Sequence, residues 1–191
     1  MKKQFSALKN SFLLVAFAFA TLPAFSQSKL VGCWRLTAAD KIQPGGKEVA
    51  DYGTDPRGIA IFTADGHYVI EIFRSEHLKF ALGDRTKGAP EEYKDAVLSA
   101  SCHFGTYTVT YTANEPGFGP EDYKDADLSA NSYIIDEAKG IITFHTERAS
   151  YPNWDETTRV ANFTLEGDKL TWQSPARPDG VIPVSVFSRM P

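Results

Sequence analysis

Leu30-Val31-Gly32-Cys33-Trp34-Arg35-Leu36 opens the first β-patterned run of this chain, and Arg189 closes the last one. Gly two residues before Trp at the start of a sheet, with Arg at its far end, is a pairing by which a small up-and-down barrel plugs one opening. The guanidinium stacks on the indole and both leave water in part, an interaction worth on the order of 1–2 kcal/mol. A plug at one end leaves the other end free for a ligand. These residues therefore predict a container, with Trp34 and Arg189 as its structural closure, and carry no information on its contents.

Upstream, Lys2 and Lys3 precede the apolar run Phe12–Ala20, and Ala24-Phe25-Ser26 places small residues around a cleavage point before Gln27. That is the build of a secretory leader, residues 1–26, and it is too short to span a bilayer. The expected mature domain is residues 27–191, in the periplasm or outside the cell. A competing reading places a lipid anchor on Cys33, because Leu30-Val31-Gly32-Cys33 has the form of a lipoprotein processing site. Two features disfavour it: polar Ser26-Gln27-Ser28-Lys29 separates the apolar run from Cys33, and the β pattern continues through Trp34-Arg35-Leu36. The leader holds three Lys and no acid, so its loss takes the formal charge from −4 to −7. An acidic chain without a basic run is a poor partner for nucleic acid or anionic lipid. The two cysteines, Cys33 and Cys102, either pair or stand as free buried thiols, and their spacing decides neither.

Short runs rich in β-branched and aromatic residues recur along the mature chain: Val31–Ala38, Gly58–Thr63, Tyr68–Arg74, Thr106–Thr112, Ile141–Thr146, Arg159–Leu165, Leu170–Gln173 and Val181–Arg189. The reading is all-β, an antiparallel barrel of eight or slightly more strands, which is just wide enough for side chains or one small molecule. Ala64-Asp65-Gly66 and Glu166-Gly167-Asp168 specify tight hairpins, and Glu137-Ala138-Lys139-Gly140 reads as a third turn. Alternation puts Tyr68, Ile70 and Ile72 on the inner face, whereas the inner face of Ile141–Glu147 is left open. Pro90–Ala100 breaks the β pattern and reads as a short amphipathic helix, with Tyr93, Ala96, Val97 and Ala100 on one stripe, lying across one barrel opening. The same words return at Pro120–Ala130, identical at nine of eleven positions, with Asp127 replacing Val97. Two copies are too few for a solenoid. Residues from about 113 to 132 are thus read as a duplicated-segment insertion, the second copy more exposed than the first.

Leu30–Leu36, Pro56–Tyr68, His103-Phe104-Gly105-Thr106-Tyr107, Tyr151-Pro152-Asn153-Trp154 and Phe163–Thr171 together resemble, in order and number, the lipocalin-like domain family of bacterial and fungal proteins. The resemblance spans nearly the whole mature chain and implies a small calycin-type barrel, often without assigned activity. Cys33 departs from the family, which usually has a small polar residue there, and so does the insertion.

A pocket rim is suggested by Tyr151, Asn153 and Trp154, a rigid aromatic pair with an orienting amide, and by Arg159, which could meet an acidic ligand group. With Ile70, Tyr107 and His145 they are the candidate ligand contacts. His145 and Glu147 lie two apart on one strand and share a face, so they are the only candidates for acid–base work. No metal-ligand spacing, nucleophile motif or phosphate loop occurs, so no cofactor is expected. The expected function is the binding of a small apolar or amphipathic molecule. The alternatives are an isomerase or cyclase using His145 and Glu147, and an interaction module built on the duplicated helices.

Overall fold

The computed structural model describes residues 28–114 and 134–191. The expected leader, residues 1–26, and the second copy, Pro120–Ala130, lie outside the described residues. Among the described residues nine strands form one antiparallel sheet: β1 (Gly32–Ile42), β2 (Glu48–Ala50), β3 (Arg57–Phe62), β4 (His67–Phe73), β5 (Ala100–Asn114), β6 (Ile134–Ala149), β7 (Thr157–Glu166), β8 (Lys169–Gln173) and β9 (Ile182–Arg189). Each of β3 to β9 pairs with its sequence neighbour, and β1 joins both β3 and β9, so eight strands close into a barrel. The short β2 is the extra strand, paired only with the end of β1.

Alternation drives the inside–outside choice as expected. In β4, Tyr68, Ile70 and Ile72 are buried while His67, Val69 and Glu71 face out. In β6, where the pattern left the choice open, Ile142, Phe144 and Thr146 point in. Phe62, Phe163, Leu170, Trp172 and Phe187 complete a continuous aromatic and aliphatic core. The two expected hairpins form, with positive φ at Gly66 (86°) and Gly167 (59°).

Trp34 is fully buried, and it faces Arg189 across the β1–β9 ladder. The Arg189 guanidinium lies 4.1 Å from the centre of the indole. It donates to Val31 O at 3.0 Å and to Lys29 O, and its Nε lies 3.5 Å from the Asp168 carboxylate. Trp34 Nε1 donates to Leu30 O at 2.8 Å. The preceding segment is thereby drawn under the barrel, where Leu30 is fully buried. Gly32 is required in this arrangement: its φ is 136°, and a Cβ there would stand 2.8 Å from Arg189 Nη1.

Four expectations need correction. Glu137–Gly140 is no turn but part of β6, where Tyr111 pairs with Gly140 and Thr112 already with Asp136. The turn-forming residues are spent on a wide irregularity inside a long strand. The helix α1 spans Pro90–Leu98 and buries none of its residues. Tyr93 turns toward its own loop, donating to Arg85 O at 2.9 Å and packing on Phe80, so the expected stripe is not buried against the barrel. The helix leads into β5 at the open end, yet none of its residues lines the opening's cavity. Finally, Cys33 and Cys102 are free thiols, Cys33 exposed on the outer face of β1, so neither a disulfide nor two buried thiols describes them.

Arg189→Met should lower the unfolding free energy by about 1–2 kcal/mol, because it removes charged hydrogen bonds to the part-buried Val31 O and the exposed Lys29 O together with the stack on Trp34. Arg189→Lys keeps the charge without the fork and should recover only part of that loss in urea titrations.

Candidate functional site

The end of the barrel away from Trp34 opens into a cavity of about 400 Å³. That volume lies in the range of small-molecule pockets. Ile70, Ile72, Phe144, Trp172 and Val184 make its apolar wall, while Asp51, Tyr52 and Arg177 stand among its polar lining residues. Asp51 is held by Lys41 Nζ at 2.6 Å and Arg177 at 3.8 Å.

Behind one wall, and reaching the cavity through His103, runs a buried polar chain. Tyr68 OH lies 3.0 Å from Thr146 Oγ1 and 3.0 Å from His103 Nδ1. Burial, and secondarily the Arg159 charge, pushes His103 down to about 3, so its imidazole is neutral at physiological pH. Burial raises the Tyr68 phenol. The chain therefore offers hydrogen bonds and no charge.

Charge comes from Arg159 on β7. Its guanidinium lies 3.6 Å from the centre of the Trp154 ring, and Nη1 is buried without a hydrogen-bond partner. Burial is the main cause lowering its pKa, with no carboxylate acting in the opposite sense. Stacking on indole returns on the order of 2 kcal/mol, but it supplies no acceptor for the buried Nη1 of this half-buried side chain. Trp154 is held for this role by a 3-10 turn, Pro152–Trp154, between β6 and β7. Thr157 Oγ1 donates to Trp154 O at 2.7 Å, and Ala149 N donates to the Asp155 carboxylate at 2.8 Å. Glu156 takes a φ of 56°, unusual for a residue with a Cβ, where the turn re-enters the sheet. Trp154 also meets His103 edge to face, with ring centres 5.8 Å apart.

The structure brings together Ile70, Trp154 and Arg159 in the cavity lining and disperses the other sequence candidates. Tyr107 points inward but belongs to the closed half, where its hydroxyl donates to Thr63 O at 3.0 Å and its ring packs on Phe62. Tyr151 and Asn153 are exposed and outside the cavity lining, Tyr151 bracing Trp154 edge to face. His145 and Glu147 are both exposed on the outer face of β6, and His145 Nδ1 lies 3.1 Å from Thr158 Oγ1. They share a face, as their spacing requires, but it is the outer one.

His103, Tyr52 and Arg177 line the cavity without having been assigned by sequence reasoning, and Tyr68 with Thr146 stands behind His103. His103 was findable: it alternates with Gly105 and Tyr107, both buried, once β5 is extended back to Ala100. Gly105 also fits this position for a steric reason, since a Cβ there would come within 2.0 Å of His145 O. Among the described residues no group of His, Cys, Asp and Glu side chains is arranged to hold a metal ion, and no helix is long and apolar enough to cross a membrane.

A closed eight-stranded antiparallel barrel with one plugged end and one open cavity is the architecture of a lipocalin-like protein. The chain belongs to the lipocalin-like domain family, whose sequence model matches residues 31–181. No curated protein and no solved structure matches the chain.

The depressed His103 pKa has a testable sign. The unfolded chain binds this proton from about 6.5 downward while the folded chain resists it to about 3, so stability is full above 6.5 and falls as pH drops through that window. His103→Gln should flatten this part of the pH dependence of unfolding, and the His103 ring resonances should not titrate between pH 8 and 5 by about any measurable amount.

Proposed function

We propose that this lipocalin-like barrel binds one small apolar or amphipathic molecule in its open end, outside the cytoplasm, after loss of its leader. The observation that carries the binding reading is the cavity of about 400 Å³, whose lining sets apolar Ile70, Ile72, Phe144 and Trp172 beside polar groups such as His103, Arg159 and Ser185. Apolar burial supplies affinity there, and a small number of fixed polar groups supplies orientation. Ile70, Phe144 and Trp172 would contact the ligand's body, with Trp154 at the side. Tyr151 and Asn153 would act only through the turn that holds Trp154. Support for export comes from residues 1–26, which have the build of a secretory leader.

The enzymatic alternative needs an acid–base pair beside the ligand. Its candidates, His145 and Glu147, lie on the opposite face of β6 from Phe144, which leaves binding as the better-supported reading.

The neutral fluorophore aminoanthracene should gain emission on titration into the purified protein and saturate at one molecule per chain. Ser185, nearly buried in the cavity wall, is the place to block it. Ser185→Trp should abolish the signal at an overpacking cost of about 1–3 kcal/mol. Undiminished dye binding in a folded Ser185→Trp protein would remove the cavity as the site.

A further inference from the structure

We infer that the ligand of this cavity carries a single anionic, planar head, a carboxylate, seated on the Arg159 guanidinium while its apolar body lies against Phe144, Trp172 and Ile70. The inference rests on the cavity being a small-molecule site and adds the chemical class of what fills it.

Arg159 lines the cavity with a buried Nη1 that no described residue accepts from. Its neighbours do not supply the missing negative charge. Trp154 presents a ring face, and His103 and Tyr68 form a neutral pair whose shared hydrogen bond is already made. The acids that line the cavity, Asp40 and Asp51, belong to the β1 side, three strands away around the barrel, and Asp51 is taken by Lys41 and Arg177. Glu147, the acid nearest in sequence on β6, is exposed on the outer face.

The other Arg–Trp stack shows what a satisfied site looks like in the same molecule. Arg189 has two backbone carbonyls and the Asp168 carboxylate around it. Arg159 has the stack without the acceptors. A carboxylate matches a guanidinium edge with two parallel hydrogen bonds and cancels one charge, which is what this site lacks. A dianion would leave an uncompensated negative charge beside a neutral imidazole, so a carboxylate fits better than a phosphate monoester.

Matched ligands test this on the purified protein by displacement of aminoanthracene and by quenching of Trp154 and Trp172 emission. Naphthylacetate, its methyl ester and naphthylethanol share one apolar body and differ in the head. The acid should bind about tenfold or more tightly than the ester or the alcohol at neutral pH. Arg159→Gln should bring the acid's affinity down toward that of the alcohol, and Arg159→Lys should restore part of the difference. The ester arm carries the test on the unaltered protein should Arg159→Gln fail to fold. Equal binding of acid, ester and alcohol would overturn the anionic head and leave the apolar cavity standing. A preference for the acid that survives Arg159→Gln would overturn the seat on Arg159. Binding of none of the three would overturn the cavity reading together with this one.

Discussion

The contact between Arg189 and Trp34 is the constraint from which the rest of the structure follows. It joins the first strand to the last at the rung where the barrel closes, and it does so over a fully buried indole. The guanidinium's hydrogen bonds to Val31 O and Lys29 O tie the segment before β1 beneath the barrel, and Leu30 fills the base. One end is therefore closed. The cavity lies at the opposite end.

The same two side-chain types recur at that opposite end with a different outcome. Arg159 stacks on Trp154 more closely than Arg189 does on Trp34, yet one of its donors is buried and unpaired. A polar group withheld from both water and protein costs stability. The neutral His103 and Tyr68 beside it provide direction without charge. Within one small barrel, a saturated Arg–Trp pair closes one end and an unsaturated pair lines the cavity at the other.

Much of the fold could be read from the residues, because the barrel obeys local rules. Strict alternation in β4 and glycine at the two tight turns translate directly into inward faces and hairpins. The failures occur where a local signal was overruled by a distant partner. Glu137–Gly140 carries turn chemistry, yet pairing with β5 and β7 keeps it within a strand. Ser101–Phe104 mixes polar and apolar residues and looks unlike a strand, yet it is held as one by β4 on one side, and its inward His103 is missed with it. The site was only half readable for a related reason. Arg159 and Trp154 lie near each other in sequence and were found together, whereas Tyr68, His103 and Thr146 meet only because β4, β5 and β6 are neighbours. His145 and Glu147 share a face as spacing demands, but spacing alone does not say which face is inside.

The central claim is a barrel sealed at Trp34 and hollow at the other end. Anomalous scattering from crystals soaked in bromobenzene tests it most directly, since that small apolar probe marks accessible dry space. The account places bromine between Ile70, Phe144 and Trp172 and none beneath Trp34. Bromine under the Arg189–Trp34 contact, or a barrel interior that takes up no bromine at all, would contradict it.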